Sequence, residues 1–86
     1  MPNKNYQKGR RKEYKICDQL KKEGFDIVQR SAGSHSPIDV FAIHKEKGII
    51  KFIQCKPDSM SENAKQKLLD ENYWLNFQFY ATFEVI

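Results

Sequence analysis

Cysteine is scarce in this chain of 86 residues, proline and glycine are few, and no apolar run is long enough to cross a bilayer. Each shortage excludes something. The two cysteines, Cys17 and Cys55, lie far apart in apolar periodic segments with no close-spaced partner, which suits reduced, buried thiols of the cytoplasm better than a disulfide framework or a zinc site. With no signal-like start and no lipidation motif either, no membrane role is expected. There is no internal repeat, and the length suffices for one core only. Residues 1–86 therefore read as a single domain whose chemistry must fit into one compact site.

Negative charge is also in deficit. Eleven acidic residues face fifteen basic ones, for a formal net charge of +4. The excess is uneven, because Lys4, Lys8, Arg10, Arg11, Lys12 and Lys15 crowd the first segment. A basic cluster of this kind favours a polyanionic partner, nucleic acid first, over a merely solvated helix. The lysines Lys21, Lys22, Lys45, Lys47, Lys65 and Lys67 are dispersed and read as ordinary surface.

From about Tyr6 to Glu23 the residues are helix formers, with an apolar stripe of Ile16, Cys17 and Leu20 ending at Gly24. Glu13 falls on the same stripe, four residues before Cys17 and seven before Leu20, so a carboxylate faces inward from a basic helix. Phe25 to Arg30 reads as a first strand and "SAGSHSP" (Ser31 to Pro37) as a small-residue loop. A second strand from Ile38 to about Ile43, a turn over His44 to Gly48, and a third strand to about Lys56 make a hairpin that Pro57 stops. "SMSE" at Ser59 to Glu62 has the form of a capping box for a second helix ending near Asn76. In the tail "FQFYATFEVI", Phe77, Phe79, Ala81, Phe83 and Val85 alternate with polar residues, as in a half-buried strand. The order is α-β-β-β-α-β. The last strand, reached by a right-handed parallel crossover, gives an α/β fold with a mixed sheet flanked by helices.

The stretch "DVFAIHKEKGIIKFIQCK" puts polar groups where a sheet should be apolar. If the hairpin pivots between Glu46 and Lys47, Asp39 faces Gln54, Phe41 faces Phe52 and Ile43 faces Ile50, with paired Cβ atoms about 4.5 to 5.5 Å apart. Lys56 projects from the same face, roughly 7 Å further along. With Glu13 from the first helix, the set comprises two carboxylates, an amide oxygen, a main-chain carbonyl (assigned to Cys55) and an ammonium. Such oxygen donors suit Mg²⁺ or Mn²⁺, and the ammonium can orient or deprotonate a water, as phosphodiester hydrolysis requires. An Asp39–Lys56 ion pair capping the sheet accounts for the same residues. Both readings stand on spacing alone. His44 reads as structural and His35 as an exposed loop residue within reach of a DNA phosphate. The aromatics Tyr73, Trp74, Phe77, Phe79, Tyr80 and Phe83 read as core or dimer interface before base-stacking platform.

These residues together resemble the PD-(D/E)XK nuclease superfamily, and more closely its archaeal type of Holliday junction resolvase. "KGRRKE", ending in Glu13, is similar to the opening helix of that family; "RSAGSHSPID" to its serine- and glycine-bearing loop before the metal aspartate; and "IQCK" to its E-x-K strand. The resemblance implies a restriction-endonuclease-like core, a homodimer, and Mg²⁺-dependent cleavage of branched DNA such as a four-way junction. By the same resemblance Glu13 is the helix-borne acid, Asp39 the principal metal ligand, Gln54 the residue at the E-x-K acid position and Lys56 the catalytic lysine. Ser34 or Ser36 stands for the loop serine near the scissile phosphate. Lys8, Arg10, Arg11, Lys12 and Lys15, with Arg30, Ser31 and His35 of the loop region, form the expected DNA-binding set. Two departures stand out. Ile38 separates Pro37 from Asp39, and Gln54 replaces a carboxylate with an uncharged amide, which lowers metal affinity. Gln-x-Lys also occurs in Mrr-like relatives of the superfamily. The competing readings are a non-catalytic nucleic-acid-binding module that keeps the fold, and a restriction or repair nuclease acting on another DNA substrate.

Overall fold

Between Lys4 and Lys22 the chain carries no proline and a single glycine, and in the computed structural model this whole span is one helix, α1. The structure describes residues 4–31 and 36–86, the first six of them as backbone only. Helix α1 stops where the sequence supplies a residue that tolerates left-handed backbone. Gly24 has φ +95°, its N–H donates to the Lys21 carbonyl (3.1 Å), and the Phe25 N–H donates to the Leu20 carbonyl (3.2 Å). This bond pair satisfies carbonyls that a helix end leaves open, and it folds Phe25 back onto the core.

Three strands follow: β1 (Ile27–Arg30), β2 (Val40–His44) and β3 (Ile49–Ile53). They form one antiparallel sheet with β2 in the centre. The hairpin has the register that alternation demands. Phe41 faces Phe52, Ile43 faces Ile50, and the pivot lies between Glu46 and Lys47. Three local features close this turn: Gly48 at φ +64°, His44 Nδ1 accepting from the Lys47 N–H (3.2 Å), and Asp26 Oδ2 accepting from the Lys45 N–H (2.7 Å).

The core forms where α1 crosses the sheet. Cys17 and Leu20 from the helix meet Val40 and Ala42 from β2, with Ile16, Phe25, Val28, Ile53 and Cys55 around them. Alternation along β2 explains the choice, since Val40 and Ala42 share one face and are fully buried. The opposite face is only half covered. Ile27, Ile50 and Phe52 each keep more than two-fifths of their surface in solvent.

The second half of the chain departs from expectation in three places. Helix α2 (Glu62–Glu71) is capped by Ser61 and not Ser59, because the Ser61 hydroxyl is the one that accepts the Ala64 N–H (3.2 Å). It ends before Asn76. The Asn72 side chain donates to the Leu68 carbonyl (2.9 Å), a short 3₁₀ turn (Tyr73–Leu75) follows, and Phe77 takes φ +62°. Residues 77–86 carry no strand, and Phe77, Tyr80, Phe83 and Ile86 lie in solvent. An alternating pattern defines an apolar face but not a ladder partner, and the described sheet ends at the outer edge of β3. The α/β architecture, a helix laid on a sheet in the order expected of a restriction-endonuclease-like core, is present. The sheet is antiparallel throughout and not mixed.

This division of the molecule has a measurable consequence. Leu20→Ala should lower unfolding free energy by about 2–4 kcal/mol, whereas Leu69→Ala, on the exposed side of α2, should change it by no more than about 0.5 kcal/mol. Denaturant titration of the two variants checks both.

Candidate active site

Past the last bridged pair, Val40 with Ile53, the chain still has to place Gln54, Cys55 and Lys56, and Pro57 beyond them offers no N–H. Asp39 fastens this segment. Its N–H donates to the Ile53 carbonyl (2.8 Å), its carbonyl accepts from the Ser31 N–H (2.9 Å), and its Oδ2 accepts from the Cys55 N–H (2.7 Å). The carboxylate thus does for Cys55 what a ladder carbonyl would otherwise do. The main-chain bond from Asp39 falls on Ile53, so Asp39 and Gln54 lie just beyond the ladder and are joined through Cys55. Among the described residues Oδ1 of Asp39 has no partner, and neither does the side chain of Gln54 or of Lys56. No Asp39–Lys56 ion pair is present among them.

Glu13 reaches the same end of the sheet from α1. Its Oε1 accepts from Arg30 Nε at 3.1 Å, and both side chains are largely covered. Arg30 Nη1 also donates to the Tyr14 hydroxyl (3.0 Å), with the guanidinium 4.5 Å from the ring centre. Arg10, one turn earlier on the helix, donates to the same hydroxyl at 3.5 Å. The hydrogen bond from Arg10, with the charges of Arg10 and Arg30, lowers the Tyr14 pKa; the hydrogen bond to Glu13 raises that of Arg30. Tyr14 had no place in the sequence reading. Its spacing of four from Arg10 on one helix face was the available signal.

The other expected residues are distributed as follows. Lys12 donates to the Lys56 carbonyl and pairs with Asp58 Oδ1 at 2.7 Å; the bond and charge of Lys12 hold the Asp58 carboxyl below its usual range. Arg11 and Lys15 are exposed. Ser36 Oγ accepts from the Ile38 N–H (3.0 Å), closing a turn just ahead of Asp39. Ser31 contributes its main-chain N–H. Ser34, His35 and the Lys8 side chain lie outside the described residues.

Cys55 reports on the charge around it. Burial first, then the negative charges of Asp39 and Glu13, push its thiol pKa up, so both carboxylates act on one atom. Among the described residues no three His, Cys, Asp or Glu side chains converge as a ready metal cluster. The oxygen donors that this strand end carries are Asp39 Oδ1, the Gln54 amide and main-chain carbonyls, all hard ligands. Gln54, Cys55, Lys56 and Lys12 line an open cleft of about 1040 Å³ together with Leu68 and Phe79.

Comparison with known proteins bears on the family of the chain. No curated protein and no solved structure matches the chain significantly. Residues 4–73 match the family model described as archaeal Holliday junction resolvase (hjc), a span that carries α1, the hairpin and α2 with Glu13, Arg30, Asp39, Gln54 and Lys56 and stops short of the tail. With most of its length covered by that match, the chain belongs to the archaeal Holliday junction resolvase family, a family of nucleases.

Proposed function

We propose that this chain is a divalent-metal-dependent endonuclease of branched DNA that resolves four-way junctions as a homodimer. The observation that carries the reading is the Asp39–Cys55 bond, which draws an acid, an amide and an ammonium to one strand end. Asp39 Oδ1, the Gln54 amide oxygen and the Cys55 carbonyl suit Mg²⁺ or Mn²⁺, and Glu13, whose Oε1 is taken by Arg30, has Oε2 without a partner among the described residues to join them. Such an ion, when bound, supplies Lewis-acid stabilisation of charge on the phosphate and makes water a better nucleophile at neutral pH. Lys56, with no competing partner among the described residues, orients that water or steadies the charge that develops on phosphate oxygen. Arg11 and Lys15, exposed on α1, hold backbone phosphates without reading sequence.

Dimer formation is supported by apolar surface the single chain leaves uncovered, on Ile50 and Phe52 of β3 and on the aromatic tail. A second reading has an observation in its favour. Arg30 neutralises Glu13 and Gln54 brings no charge, so Asp39 is the one acid left uncompensated in the proposed set, as suits a junction-binding module without turnover.

Labelled four-way junction, duplex and single strand incubated with Mg²⁺, Mn²⁺ or chelator separate these outcomes. Paired, metal-dependent cuts confined to the junction are expected; cuts in every substrate indicate a general nuclease, and binding without cuts selects the module. Asp39→Asn and Lys56→Ala should each abolish cleavage while junction affinity stays within a few-fold, because neither holds backbone phosphate in this scheme. Gln54→Glu should lower the Mg²⁺ concentration needed for half-maximal cleavage and keep or raise the rate, and a rise in that concentration would remove residue 54 from the metal set.

A further inference from the structure

We propose that Lys12 is a positioning residue: its ammonium ties the strand end bearing Gln54 and Lys56 to helix α1, and it does not serve as a phosphate contact. The inference rests on the nuclease reading for its effect on rate, though not for its structural content. Lys12 sits beside Glu13 in sequence, and its Nζ donates to the Lys56 carbonyl while pairing with Asp58 at 2.7 Å, across 44 and 46 residues of chain. Cleft-lining residues on the two elements are thereby joined.

The ion pair alone would contribute little, since Asp58 is almost fully exposed and exposed pairs are weakened by solvent. The carbonyl bond is different in kind. Beyond Ile53 the strand has left its ladder, so its polar groups depend on side chains. Asp39 takes the N–H of Cys55, and Lys12 takes the carbonyl of Lys56, the next residue along. The peptide between them is held at both ends by charged groups, from β2 on one side and α1 on the other. Asp58 occupies a further donor position of the same ammonium and keeps it at the strand. To meet a phosphate, Lys12 would have to leave both partners. Arg11 and Lys15 are exposed and have no such ties among the described residues.

The test compares wild type, Lys12→Ala, Lys12→Arg and Asp58→Ala in the full chain. Three quantities are read: the single-turnover cleavage rate of labelled four-way junction at saturating protein, junction affinity across a salt series, and amide hydrogen exchange over residues 54–58. Lys12→Ala should slow cleavage about 10- to 100-fold, as loss of alignment does, with junction Kd and its salt slope unchanged and amide exchange at Cys55 faster. Lys12→Arg should restore most of the rate, since a guanidinium still donates to a carbonyl and a carboxylate. Weaker binding by Lys12→Ala with a salt slope reduced by about one, at unchanged saturated rate, would overturn the proposal by making Lys12 a phosphate ligand. Tighter junction binding by Asp58→Ala, through release of Lys12 toward DNA, would overturn it too. If wild type cuts nothing under any condition the nuclease reading fails, and exchange still decides: acceleration at Cys55 in Lys12→Ala supports positioning, and unchanged exchange refutes it.

Discussion

The hydrogen bond from the Cys55 N–H to the Asp39 carboxylate is the constraint on which the rest of this site depends. A charge-assisted bond to a partly covered main-chain amide contributes on the order of 1.5–3 kcal/mol, and here it replaces the ladder bond that β3 gives up after Ile53. It fixes Gln54 and Lys56 by fixing the residue between them. It also uses only one carboxylate oxygen, which leaves the other for chemistry. Aspartate has the length for this. Asparagine can accept the same N–H while removing the charge, so the structural and electrostatic roles of residue 39 are separable.

Charge around that bond is balanced unevenly. Arg30 covers Glu13 and stacks on Tyr14, and Arg10 approaches the same phenol, so the α1 side of the site is a cationic cluster with one acid held inside it. On the other side, Lys12 and Asp58 pair across the end of the strand. Asp39 stands between these groups with Gln54, whose amide adds an oxygen donor without a charge. On the proposed reading, a site so arranged would attract phosphate and offer a divalent ion a modest hold. The half-bare second face of the sheet, through Ile50 and Phe52, and the tail, through Phe77 and Phe79, line the same open cleft as Gln54 and Lys56.

Much of this was legible in the sequence, for identifiable reasons. Periodicity places Glu13 with Cys17 and Leu20, Gly24 terminates α1, and the alternating residues on either side of Lys47 fix the hairpin register. Each of these signals is local and repeats along the chain. The bonds that finish the site are neither. Asp39 to Cys55 and Lys12 to Lys56 join a side chain to a main-chain group far away in sequence, and no pattern of residue types announces them. The same holds for Tyr14, whose role comes from Arg30 on another element. The capping-box pattern points to Ser59, whereas the hydroxyl that reaches the Ala64 N–H is that of Ser61. The tail shows a different limit. Its alternation describes a surface that wants a partner strand, while pairing depends on what lies alongside it.

In the proposed function Asp39 holds Cys55 with one oxygen and offers the other to a divalent ion. Titration with Mn²⁺, followed by paramagnetic broadening of amide resonances, tests it at the residues concerned. Broadening should centre on Asp39 and Cys55 in the wild type and disappear in Asp39→Asn, with the Cys55 amide otherwise keeping its folded position. Equal broadening in both proteins, or broadening centred away from the end of the hairpin, would contradict the account.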